Sequence, residues 1–160
     1  MTLVAEAVTR LIARRETVAT AESLTGGALA STFVEVPGVS AVFRGGLVVY
    51  ATDLKHVLAG VSSALLDDRG PVDPDVALAL AGGARSRCGA DWGMATTGVA
   101  GPDPQGGKPV GLVYVAVAGP GASAVEELHL TGDRAAIRAG SVTAVLNLLV
   151  TQVDRAGPPA

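Results

Sequence analysis

Apolar residues recur along this chain with two different periods. Over residues 2–15 the spacing puts Val4, Val8, Leu11 and Ile12 on one face and Arg10, Arg14 and Arg15 elsewhere, which predicts an amphipathic helix. Residues 17–22 alternate like a short strand, and Ser23-Leu24-Thr25-Gly26-Gly27 then turns into an Ala-rich helix to about Val34, ended by Pro37-Gly38. A second strand is predicted over 42–50, interrupted by Gly45-Gly46, followed by short helices around 53–59 and 63–68. Asp73-Pro74 is an N-cap with proline at the first helical position, and the helix after it carries Val76, Leu80, Ala84 and Cys88 at four-residue spacing. An apolar strand over 92–97 runs into the turn-rich stretch 98–107. Residues 110–118 and 123–130 read as a strand pair joined by Gly119-Pro120-Gly121. Gly132-Asp133 opens a last helix to about Val153, whose core stripe is Val142, Val145, Leu146, Leu149 and Val153.

Strands interleaved with helices predict an α/β fold, a three-layer α/β/α sandwich. The last two strands are adjacent in sequence, so the sheet of about five strands is expected to be mixed rather than all parallel. With no repeat and no internal linker, residues 1–155 read as a single domain and 156–160 as a loose tail.

Composition narrows the function classes. Of the 160 residues 49% are hydrophobic and 17% charged, with 21 glycines, which describes an ordinary globular chain. The net charge is −3 and no basic block occurs, so nucleic acid is a poor partner, although a few placed donors could still hold a local anion. A single cysteine, Cys88, excludes an intrachain disulfide. The N-terminus lacks the basic and apolar regions of a secretory signal, and no stretch approaches the ~20 apolar residues that span a bilayer. The expectation is a cytoplasmic protein with no membrane partner, with a homo-oligomer left open.

Metal chemistry finds little support. His56 and His129 are the only histidines, lie far apart, and neither is at ligand spacing with Cys88. Two motif matches fail on spacing. Gly101 to Gly107-Lys108-Pro109 is one residue too long for a phosphate loop, and Pro109 stands where Ser or Thr is required. Tyr50 and Lys55 are five apart, not the four of a Tyr-x-x-x-Lys pair.

Glu22-Ser23-Leu24-Thr25-Gly26-Gly27 remains, at a strand-to-helix junction. A serine there projects from the carboxyl end of a strand, where open α/β sheets place ligands, beside the unpaired N–H groups of a helix start. Ser and Thr at such a junction are also ordinary N-caps, and spacing alone favours that reading. The chain has just two lysines, Lys55 and Lys108, so a Ser–Lys mechanism has two candidate bases. Arg138 falls in line with the core stripe of the last helix and is expected to pair with an anion, either a carboxylate or a ligand.

Taken together, the segments resemble the CinA C-terminal domain family, also known as the nicotinamide-nucleotide amidase family. The resemblance rests on Thr20-Ala21-Glu22-Ser23-Leu24-Thr25-Gly26-Gly27, on Phe43-Arg44-Gly45-Gly46-Leu47-Val48-Val49-Tyr50 with Lys55 five residues on, and on Thr97-Gly98-Val99-Ala100-Gly101-Pro102-Asp103. It continues through Lys108-Pro109-Val110-Gly111-Leu112-Val113-Tyr114 and Gly132-Asp133-Arg134, in the family's order and over almost the whole chain. Leu24 departs from the family's usual cysteine, and the longer members carry an N-terminal domain, so the short form is expected.

The resemblance implies deamidation of nicotinamide mononucleotide to nicotinic acid mononucleotide and ammonia, without metal or cofactor. It implies a Ser–Lys site on Ser23 and Lys55, with Tyr50 close by. On that reading Lys55 takes the Ser23 proton directly or through Tyr50, and the oxyanion is held near Thr25-Gly26 or by the loop 98–101. Thr25, Gly26, Thr97, Gly98, Gly101 and Arg134 are the expected substrate-binding residues. The phosphate belongs at the Gly132-Asp133-Arg134 corner or the loop 98–101. The rival readings are a non-catalytic pyridine-nucleotide-binding module and an amidase for another small amide.

Overall fold

Every residue of β1 (Val18–Glu22) and β4 (Leu112–Gly119) is buried, because helices cover both faces of the sheet they belong to. A computed structural model describes residues 1–158 of the chain. Its sheet has five strands in the order β2-β1-β3-β4-β5, with β2 (Phe43–Val48), β3 (Trp92–Gly98) and β5 (Ala122–His129) completing it. β1 pairs in parallel with β2 and β3, whereas β3–β4 and β4–β5 are antiparallel. This is the α/β/α sandwich with a mixed sheet that the alternation of elements predicts.

Period-two alternation splits the core into two apolar clusters. Val113, Val115 and Val117 of β4 face one cluster with α1 (Leu3–Arg14), α2 (Ala28–Val34) and α6 (Arg134–Arg155). Leu112, Tyr114, Ala116 and Ala118 face the other, with α4 (Ser63–Arg69) and α5 (Pro74–Arg87). Gly93 allows α5 to lie close on β3, because a Cβ there would meet the Ala81 carbonyl at 1.9 Å. Caps follow the sequence signals: Asp73 accepts from the N–H groups of Asp75 and Val76, and Asp133 from that of Ala136.

Three expectations need correction. Gly45-Gly46 does not interrupt β2; the strand runs through it, with a register shift opposite Val18 and Ala19. Ile12 is exposed at 45%, because the buried stripe of α1 is Val4, Ala7, Val8 and Leu11 and the next residue lies about 100° round the helix. Val142 is only partly buried, whereas Val145, Leu146, Leu149 and Val153 of the expected stripe are buried, and Ile137, Ser141, Leu148 and Gln152 join them. On length and composition α6 could cross a membrane, but here its apolar side packs on β4 and α1. The tail read over 156–160 lies partly outside the described residues, at 159 and 160; Gly157 accepts a hydrogen bond from Arg14.

Candidate active site

β1 ends at Glu22, yet sheet pairing continues one residue further, since the Ser23 N–H donates to the Thr96 carbonyl at 3.0 Å. The chain then turns, closed by the Gly26 N–H on the Ser23 carbonyl. Gly27, at φ +103°, is the residue that caps α2, a conformation glycine adopts at little cost. Ser23 is therefore not the N-cap that its spacing allowed. The capping acceptor is the carboxylate of Glu22, which is fully buried. It receives the N–H groups of Gly27 at 3.2 Å, Leu29 at 2.8 Å and Ala30 at 3.0 Å, and the Thr25 hydroxyl at 2.6 Å.

Lys55 arrives from the far side of the same strand ends. Val49 continues β2 beside Glu22, and α3 (Thr52–Val57) returns Lys55 towards the sheet. Its side chain is 1% exposed, and Nζ lies 3.0 Å from Ser23 Oγ, 2.7 Å from the Val49 carbonyl and 3.3 Å from that of Tyr50. Burial lowers the Lys55 pKa from 10.5 to about 8, because the charged ammonium loses its hydration.

The opposite wall is wetter. Tyr50 is 60% exposed, and its phenol oxygen accepts a hydrogen bond from Arg134 Nη2 at 3.2 Å. Arg134 Nη1 donates to the Gly101 carbonyl at 2.7 Å, joining the start of α6 to the loop after β3. The Thr97 hydroxyl donates to the Pro71 carbonyl at 2.6 Å. Ser23, Tyr50, Lys55, Thr97, Gly98, Gly101 and Arg134 thus line one cleft, together with Asp103 and Gln105, which the sequence reading passed over. Thr25 and Gly26 do not line it: the Thr25 side chain is buried against Glu22 and Thr96, and Gly26 lies towards Arg138.

Arg138 is also placed differently from expectation. It meets neither carboxylate nor cleft, but donates to the carbonyls of Leu24 at 2.9 Å and Thr25 at 3.0 Å. Their partial negative charges at the turn substitute for an anion. Because a trans peptide points C=O and N–H in opposite directions, the Thr25 N–H is turned away from Arg138. The N–H groups of Leu24 and Thr25 have no hydrogen-bond partner among the described residues. The one sequence signal for the role of Glu22 is its position, the one charged residue of a short strand directly before a helix start.

Comparison with known proteins agrees with this architecture. The sequence profile described as the CinA C-terminal domain matches residues 1–153. A CinA-like protein of Frankia casuarinae is 49% identical over 139 residues, covering 87% of this chain and 32% of the relative. A CinA-like protein of Anaeromyxobacter is 50% identical over 145 residues, covering 89% and 35%. The chain thus spans about a third of the length of the curated relatives it matches. Among solved structures, a competence-damaged protein (CinA) superfamily protein of Klebsiella pneumoniae superposes with a TM-score of 0.92 at 28% identity, covering 96% of each chain. A CinA superfamily protein of Escherichia coli gives 0.90 at 32% identity, covering 93% of this chain and 88% of that one. The chain belongs to the CinA C-terminal domain family.

Proposed function

We propose that this domain is a serine amidohydrolase that deamidates nicotinamide mononucleotide, with Ser23 as nucleophile and Lys55 as its base. The observation that carries the reading is the 3.0 Å contact between Ser23 Oγ and a buried lysine that has no carboxylate partner among the described residues. An ammonium has three donors; the neutral amine has two and a lone pair. Two carbonyls, of Val49 and Tyr50, stand within reach of Nζ, so a neutral Lys55 satisfies both and presents its lone pair to the serine hydroxyl. With a pKa of about 8, roughly a tenth of the lysine is neutral at pH 7. A cationic pyridinium bound beside it favours the neutral form further.

In this scheme Ser23 Oγ attacks the carboxamide carbon while Lys55 takes its proton. The oxyanion is assigned to the N–H of Leu24, a cleft residue whose N–H has no hydrogen-bond partner among the described residues. The proton returns to the leaving nitrogen as ammonia departs, and water activated by the same amine cleaves the acyl-enzyme. Proton transfer is direct; the Tyr50 phenol, turned to Arg134, has no part in it. Arg134 and the loop 98–101 are assigned to the nucleotide's ribose phosphate. A small-molecule nucleotide partner and a cytoplasmic location go with the reading.

The test is to incubate the purified protein with nicotinamide mononucleotide and with free nicotinamide and assay ammonia. Release from the nucleotide alone is the expected result. Release from free nicotinamide alone points to an amidase for another small amide, and binding without release points to a pyridine-nucleotide-binding module.

A further inference from the structure

Helix starts recruit nearby hydroxyls, and this one has two within three residues, Ser23 and Thr25. Neither caps α2. Its first N–H groups are already taken by Glu22, a carboxylate buried at 0% exposure that has no cation partner among the described residues and is held by N–H and O–H dipoles. Thr25 is turned inwards to the same carboxylate and to Thr96 Oγ1 at 2.8 Å, while the Thr96 carbonyl fixes the Ser23 backbone. Thr96 and Glu22 between them thus tie the turn to the sheet and to the helix.

We propose that Glu22 is a positioning residue: by occupying the N–H groups of α2 it keeps the Ser23 hydroxyl from becoming a cap and holds it on Lys55. This rests on Ser23 being the nucleophile, the reading given above. Glu22→Gln is the informative change. Three N–H groups and a hydroxyl surround the carboxylate, whereas a carboxamide offers one acceptor oxygen and places an NH2 group against donors. At least one N–H of α2, in a largely buried setting, then lacks a partner, and the Ser23 hydroxyl is the free acceptor adjoining the turn. The Lys55 pKa is lowered by burial, which the isosteric change leaves in place, so the base should titrate unchanged in the variant.

The experiment measures the rate at which a fluorophosphonate phosphonylates Ser23, with fluoride leaving, a readout independent of the natural substrate, with Ser23→Ala as blank. Amidase kcat, KM and pH profile are measured alongside, and folding is followed by circular dichroism. For a misplacement of the nucleophile we expect Glu22→Gln to lose about 100-fold in labelling rate and in kcat, with KM little changed and the pH limb where it was. Thr25→Val, which deletes one donor to the carboxylate and preserves shape, should lose about tenfold in both rates, and decides the matter if Glu22→Gln does not fold. Labelling within threefold of the parent in the folded variant overturns the positioning role while leaving the nucleophile intact. A parent that the probe does not label at Ser23 overturns the nucleophile reading and this inference with it.

Discussion

The two walls of the cleft are built on opposite principles. On one wall Ser23 is 8% exposed, Lys55 1% and Glu22 0%, and their hydrogen bonds are made within the protein. On the other, Tyr50 is 60% exposed, Arg134 is exposed, and the loop from Gly98 to Gln105 leaves its outer residues in water. A buried wall can shift a pKa and hold a nucleophile still, since removing water strengthens fixed dipoles and penalises charge. A wet wall cannot do this, but it can bind and release a charged, flexible molecule without a large desolvation penalty. The contrast assigns chemistry to the first wall and recognition to the second.

That division is broken most severely by Ser23→Ala, which should lower amide turnover on the order of ten-thousandfold or more with nucleotide affinity retained. A steady-state assay beside a calorimetric titration separates the two, and equal loss of both would dissolve the division. Lys55→Arg should cost about a thousandfold in kcat, since a guanidinium keeps the charge and cannot serve as base.

Changes on the wet wall should be smaller and depend on the substrate. A charge-assisted bond to phosphate contributes roughly 1.5–3 kcal/mol, so Arg134→Ala should lose about ten- to hundredfold on nicotinamide mononucleotide. The dephosphorylated riboside should be nearly unaffected, and an equal loss on both would remove Arg134 from the phosphate site. Tyr50→Phe should be mildest, about threefold, as it deletes one exposed hydrogen bond to Arg134. A hundredfold loss there would restore the phenol as a proton relay.

The same contrast governs what could be read in the sequence. The layered fold was legible, since period two in Val113, Val115 and Val117 and the caps Asp73 and Asp133 are local signals. Ser23 was legible as a residue at a strand end. Its freedom from capping was not, because that depends on a carboxylate folding back onto a helix start five to eight residues away in sequence. Lys55 could be placed at a helix start, but its burial arises only once α3 returns to the ends of β1 and β2. Arg138 was expected to seek an anion, and two carbonyls of the turn at residues 23–27, more than a hundred residues earlier, meet it instead. Such long-range satisfaction of polar groups leaves no periodic trace.

Whether a neutral Lys55 activates Ser23 is tested most directly by measuring ammonia release from nicotinamide mononucleotide across pH 6 to 10. The buried amine must be unprotonated to act, so kcat/KM should rise about tenfold per pH unit and level off near pH 8 in the parent, with no release from Ser23→Ala at any pH. A rate that continues to climb towards pH 10.5, or ammonia production that survives in Ser23→Ala, would contradict it.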